Sequence, residues 1–204
     1  MPKITDIKQQ VKRADRFSVF VEGKYGFSFS QDEILRLGLK IGQEFTKDEL
    51  EQVKKSAVQD KAYDRALNLI ARRPRSIWEM RDYLKRKEYK QDIIDAAVTK
   101  LLYADFLNDL EFAQAWVRSR RLLKSTNKRK LGLELRQKRV DSEVIEQVLR
   151  EDETDDLAVL RELITRKQKR YPDKIKLMQY LSRQGYRYQD IKQALLENTD
   201  NSIS

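Results

Sequence analysis

The stretches "YLKRKEYKQDIIDAAV" (Tyr83–Val98), "ELRQKRVDSEVIEQVL" (Glu134–Leu149) and "YLSRQGYRYQDIKQAL" (Tyr180–Leu195) are three versions of one pattern. Each has Leu in second place, an apolar residue in seventh and a β-branched residue in twelfth. Aligned on Leu84, Leu135 and Leu181, the anchors lie 51 and 46 residues apart, a spacing typical of helical repeats. Ten positions later come Ile94, Ile145 and Ile191; fourteen later come Val98, Leu149 and Leu195; four earlier come Met80, Leu131 and Leu177. This is the period of two amphipathic helices separated by a turn. Tyr89, Val140 and Tyr186 are placed to plug that turn from the loop.

An apolar-periodic segment precedes each pair: "AYDRALNLIARR", "DLEFAQAWVRSRRLL" and "LAVLRELITRKQKR". The expectation is therefore three tandem three-helix repeats, over residues 61–107, 108–153 and 154–204, the last with a short polar tail. A unit this small buries little by itself, so neighbours should stack into an elongated, curved array. Breakers fall between the segments: Pro74 in "RRPRS", the polar run "KSTNKRK", Pro172, and Gly185 at the end of a helix. Ser76 with Glu79 has capping-box spacing.

Residues 1–60 read differently. "ITDIKQQV" and "RFSVFVEGKYGFSFS" alternate apolar with polar side chains and are rich in Phe, Val and Tyr, as strands are. Phe17, Val19 and Val21 share a face, and Tyr25, Phe27 and Phe29 follow a glycine turn. A two- or three-stranded antiparallel sheet needs a cover, which "QDEILRLGL" and "TKDELEQVKKSAVQDKAYDRAL" can supply. Thr46 and Glu49 mark the start of the second helix. The fold class expected is mainly α, with a small N-terminal β-hairpin or sheet and its covering helix.

Composition removes much chemistry. With no Cys and no His among 204 residues, there is no thiol nucleophile, imidazole base or ordinary zinc site. No phosphate-binding glycine motif occurs. No apolar run approaches the length of a membrane span, and "MPKITDIKQQVKR" lacks a signal-peptide core. A reducing cytoplasm is the expected location. The acidic run "EDETDD" (Glu151–Asp156) reads as a solvated linker that favours the start of the next helix, because consecutive helical residues diverge too much to hold a metal together.

Net charge is +10, of which only +1 belongs to residues 1–60. Arg118–Arg139 holds ten basic residues against Glu134, and Arg166–Arg187 holds eight against Asp173. Between them Asp141–Asp156 holds eight acids against Arg150. Such banding suits a polyanion or a charged protein surface, and it equally suits solvated helix faces. On the helix ending near Leu123, Phe112, Trp116 and Leu123 are in phase as a core face, whereas Trp78 falls one place off Ile77 and is expected to be partly exposed. Tyr188 is a weak candidate for base stacking beside Arg187.

"RSIWEMRDYLKRKEY" followed by "NDLEFAQAWVRSRR" resembles the RecX family of bacterial RecA regulators. Arg75, Ser76, Glu79 and Leu84 carry the resemblance, then Asp109, Phe112, Ala113, Trp116, Val117 and Arg120, then "LELRQKRV"; it extends from Ala62 to Glu197. The segment "RFSVFVEGKYGFSFS" is similar to the β-containing extension of longer members. Family members often place Gly before the apolar turn residue. Here Gly185 does so, but Glu88 and Arg139 occupy the other two places, which argues against left-handed turns there.

The resemblance implies a non-enzymatic negative regulator, with no cofactor or metal, acting as a monomer. It would bind along the groove of the RecA–single-stranded DNA filament and inhibit ATP hydrolysis, filament growth and strand exchange. The candidate RecA- or DNA-contacting residues are Arg118, Arg120, Arg121, Lys124, Lys128, Arg129, Lys130, Arg136, Lys138, Arg139, Arg183, Arg187 and Tyr188. Two rival readings are a helical protein acting directly on DNA and, disfavoured, a carboxylate metal nuclease using residues such as Asp109 or Glu111.

Overall fold

The structure, a computed structural model, describes residues 1–200, with side chains as far as residue 197; the tail expected at the C-terminus lies outside the described residues. The chain folds as two compact units, the first spanning Met1–Leu107 and the second starting at Asn108. It is mainly helical, with a three-stranded sheet followed by ten helices among the described residues.

In the first unit β1 (Ile4–Gln10), β2 (Arg13–Val21) and β3 (Lys24–Ser30) form an antiparallel meander. Glu22 and Gly23 link β2 to β3 with φ of 51° and 74°, positive at both central positions as a type I′ hairpin turn needs. Val11, which the alternation assigns to the first strand, lies fully exposed in the turn after it. Val19 faces Phe27 and Phe17 faces Phe29 across the ladder, and a bulge at Val19/Phe20 breaks the alternation. As a result Phe27 and Phe29 are buried while Tyr25 is exposed, edge-on to Phe20.

Helix α1 (Gln31–Leu37) and the first half of α2 (Lys47–Ile70) cover the sheet, closing a core of Ile4, Val19, Phe27, Phe29, Leu39, Phe45 and Ala57. The Thr46–Glu49 capping box is complete. Arg16, 4% exposed, reaches from the sheet to α2, with Nη1 3.1 Å from Asp60 Oδ2 and 3.3 Å from Asp64 Oδ2. Its Nη2 donates to the Ser28 carbonyl, and the Ser30 amide and hydroxyl donate to Asp60. A buried cation needs such partners.

The same α2 continues as the first helix of repeat one, with Ala62 and Ala66 packed against α3 (Ile77–Arg86) and α4 (Gln91–Tyr103). The division expected between residues 60 and 61 therefore falls inside one 24-residue helix. In the second unit α5 (Asp109–Lys124), α6 (Lys128–Gln137) and α7 (Ser142–Glu151) surround one core. Helices α8 (Asp156–Lys167), α9 (Lys174–Arg183) and α10 (Tyr188–Asp200) surround another. Leu84, Leu135 and Leu181 are each wholly buried.

The middle helices of all three repeats end alike. Tyr89, Val140 and Tyr186 donate their amides back to the carbonyls of Leu84, Leu135 and Leu181 at 3.2–3.3 Å. Glu88, Arg139 and Gly185 donate to Lys85, Arg136 and Ser182 at 2.9 Å. This is the double bond of the Schellman ending, with the apolar residue folded onto the anchor leucine. Glu88 and Arg139 have φ of 61° and 56°, and Gly185 has 99°. The left-handed turns argued against from sequence are thus present at all three sites: the two carbonyls otherwise left open outweigh the Cβ strain.

Repeats two and three meet through an ionic joint. The Arg121 guanidinium, 11% exposed, donates to Asp152 Oδ2 at 2.6 and 3.0 Å, to Asp156 Oδ1 at 2.8 Å and to the Thr126 carbonyl at 2.5 Å. Asp156 also accepts the Lys128 amide at 2.9 Å. Tyr186 Oη donates to the Ser125 carbonyl at 3.2 Å. A Cβ at Gly185 would lie 3.1 Å from Asn127 Oδ1 and 3.2 Å from Lys130 Cβ, so glycine serves there both the turn and the close approach. Part of the acidic run is thereby structural: Asp152 and Asp156 hold Arg121, and Asp155 caps α8. Burial pushes the Asp152 carboxyl upward, but the Thr154 and Arg121 hydrogen bonds prevail and hold it below its ordinary value.

Glu88→Gly and Arg139→Gly should each raise the urea-unfolding free energy by about 0.5–1 kcal/mol, whereas Gly185→Ala should lower it. Arg121→Gln takes from Asp152 and Asp156 the cation they share, leaving only the Thr154 contacts and the Lys128 amide, and should cost the second unit about 3 kcal/mol at pH 7. Because the folded Asp152 is depressed, the pair's contribution is complete above the ordinary carboxylate range near pH 4 and fades as pH falls through the folded value. The gap between wild type and variant in chemical denaturation should therefore narrow below about pH 4; a constant gap down to pH 2 would contradict the assignment.

Candidate polyanion-binding surface

The joint brings together two basic stretches that are distant in sequence. Seating Gly185 on Asn127 and Lys130 sets the α9–α10 turn, with Arg183 and Arg187, against the start of α6, which carries Lys128, Arg129 and Lys130. Lys130 Nζ donates to Gln184 Oε1 at 2.9 Å, and Arg166 Nη2 to Ser125 Oγ at 3.0 Å. Burial, with Asp156 nearby, pushes the Tyr186 phenol up to about 12, so it stays a neutral donor beneath this surface.

The thirteen candidates have different fates. Arg118, Lys124, Arg129, Arg136, Arg139, Arg183, Arg187 and Tyr188 are exposed. Arg121 is turned inward by its three acceptors. Burial alone would lower its proton affinity, yet the bonds to Asp152 and Asp156 raise it, so it belongs to the scaffold. Lys128 is half-buried and its amide is committed to Asp156. Lys130 is tied to Gln184.

Arg120 and Lys138 belong to a second cluster. Glu134 Oε2 accepts from Arg120 Nε at 2.7 Å and from the Trp116 indole at 2.9 Å. The Arg120 guanidinium lies 4.3 Å, and Lys138 Nζ 5.1 Å, from the centre of the Trp116 ring. Trp116 also packs on Phe112, 5.8 Å between centroids. Its ring is therefore occupied by protein cations. Glu134, the one acid of the basic run, is what holds this cluster in place.

Leu123, expected on the core face with Phe112 and Trp116, is 77% exposed, and Leu122 is 85% exposed. The C-terminal turn of α5 runs past the core, so heptad phase no longer reports burial there. Among the described residues no group of three or more carboxylates is gathered as metal ligands, and no helix is long and apolar enough to cross a membrane. Sequence reasoning missed Ser125, Asn127, Gln184 and Arg166. Asn127 alone carried a signal, as an N-cap residue, and that signal concerns its own helix only.

Three descriptions of one family match the chain. The regulatory protein RecX N-terminal domain covers residues 2–46, the first RecX three-helix domain 62–101 and the second 108–149. The regulatory protein RecX of Bacillus pumilus is 31% identical over 210 residues, covering 98% of this chain and 79% of that protein. That of Listeria monocytogenes serotype 4a is 36% identical over 151 residues, 73% of this chain and 55% of its own length. The chain thus spans about half the length of the Listeria relatives it matches. A crystal structure of regulatory protein RecX superposes with a TM-score of 0.74 at 22% identity, covering 95% of this chain and all of that one, and so shares the fold. One of RecX from Lactobacillus salivarius gives 0.61 at 25% identity, over 71% and 98%. By its domains, its relatives and its architecture, this chain belongs to the RecX family of regulatory proteins.

Proposed function

We propose that this protein is a negative regulator of the RecA recombinase. It binds as a cytoplasmic monomer along the groove of the RecA–single-stranded DNA filament and inhibits ATP hydrolysis, filament growth and strand exchange. It does so without catalysis, cofactor or metal of its own. The observation that carries this reading is the α6/α9–α10 surface, where cations from two tandem repeats are set side by side by a packed joint. Family membership supports it. Linked weak contacts raise effective concentration, because each engaged module makes the next contact nearly intramolecular. Modules spanning neighbouring protomers hinder their ATP-linked rearrangement by holding them, with no bond made or broken.

Direct action on DNA is a second reading, favoured by the exposure of Arg118, Arg129 and Arg136. Phosphate contacts would make affinity fall steeply with salt, whereas contacts with a protein surface depend on particular charge partners.

The test is RecA ATPase activity on single-stranded DNA with substoichiometric amounts of this protein. Strong inhibition is expected from the wild type. The variant Arg118→Glu/Arg129→Glu/Arg136→Glu, which spares the Arg121 joint, should require at least about tenfold more protein, the effect of roughly 1.4 kcal/mol. Absence of inhibition by the wild type at every ratio would remove the proposal.

A further inference from the structure

Repeats two and three are separate apolar cores joined by polar groups. Leu131, Leu135 and Ile145 belong to one core, and Leu160, Leu181 and Ile191 to the other. Where the repeats meet, Thr126 and Asn127 are 5% and 3% exposed. There the Ser125 carbonyl accepts from the Tyr186 phenol, and the Ser125 hydroxyl accepts from Arg166. In a tandem array each repeat is held by its own core and by the face it shares with its neighbour. When that face is polar, opening it returns each group to bonds with water, so it opens at far lower cost than either core.

One carboxylate fastens this face. Asp156, the first residue of α8, accepts from the Arg121 guanidinium at 2.8 Å and from the Lys128 amide at 2.9 Å, both on repeat two. Residues 152–155 connect α7 to α8. When Asp156 leaves, Arg121 keeps Asp152 and the Thr126 carbonyl, so no buried cation is stranded. The Asp156 side chain, 33% exposed even when engaged, passes into water. Both positions of repeat three therefore satisfy their charges.

We propose that the contact between repeats two and three is a latch: repeat three swings on residues 152–155 as a folded body, and Asp156 is the catch that engages Arg121 and the Lys128 amide. The α6/α9–α10 surface exists only in the closed position, because the seating of Gly185 on Asn127 and Lys130 sets its two halves side by side. A partner that binds the assembled surface holds the latch closed, and opening dismantles its site. That consequence rests on the regulatory reading of the surface; the hinge itself does not.

The chain has no cysteine, so Glu146→Cys on α7 and Lys176→Cys on α9, both at exposed positions, accept a donor and an acceptor dye. Single-molecule energy transfer in the full chain then reads the separation of the two repeats. Two populations are expected, and Asp156→Ala should raise the open-to-closed ratio at least about tenfold, the effect of about 1.4 kcal/mol. Far-UV circular dichroism should stay at the wild-type value, because Asp155 still caps α8 and neither core is touched. Glu153→Ala, in the hinge but outside the catch, should leave the ratio as it is. An unchanged ratio in Asp156→Ala, an equal rise in Glu153→Ala, or a new separation that appears only with loss of helical signal would each overturn the latch. If Asp156→Ala opens yet inhibits RecA ATPase activity as well as the wild type, the α6/α9–α10 surface loses its place in the regulatory reading while the latch stands.

Discussion

Each repeat depends on reversing the chain within a few residues without leaving buried carbonyls open. The left-handed residue at 88, 139 or 185 lets two amides return to the end of the middle helix, and the next residue drops its side chain onto the anchor leucine. Without that closure, the third helix could not lie back on the first to bury Ile94, Ile145 or Ile191. Because the turn satisfies its own backbone, the core needs only a few apolar side chains. This is how a chain with 37% charged residues builds several small cores.

Above that level the second unit is organised by charge. Arg121 answers carboxylates at the end of repeat two and the start of repeat three, and it completes its hydrogen bonding on the Thr126 carbonyl. A desolvated guanidinium is costly unless so surrounded, which fixes the relation of these two repeats better than apolar contact alone. The cation removed from the surface in this way is what positions those left outside, because the same joint seats the α9–α10 turn on α6. Two arginines adjacent in sequence, Arg120 and Arg121, thus serve an indole cluster and a buried joint rather than one continuous ridge.

Glycine is the expected left-handed residue, yet two of the three turns carry Glu and Arg. A missing glycine does not abolish a turn whose hydrogen bonds and apolar plug are both in place. The exposed Leu122 and Leu123 make a parallel point about periodicity, which indicates where a side chain points and leaves open whether anything lies opposite.

The sequence by itself determined the sheet, the helical repeats, the Thr46 and Ser76 caps, the anchor leucines and the turn plugs. All of these follow from neighbours within a turn or a short loop, where local geometry and burial period act. It also showed that the basic charge lies in bands. Only the tertiary structure decided which cations are available. Whether Arg121 meets Asp152 and Asp156, whether Gly185 lies on Asn127, and whether α2 serves sheet and repeat together depend on contacts between residues far apart in sequence. Their energies come from desolvation and close packing in three dimensions, and no spacing along the chain encodes them.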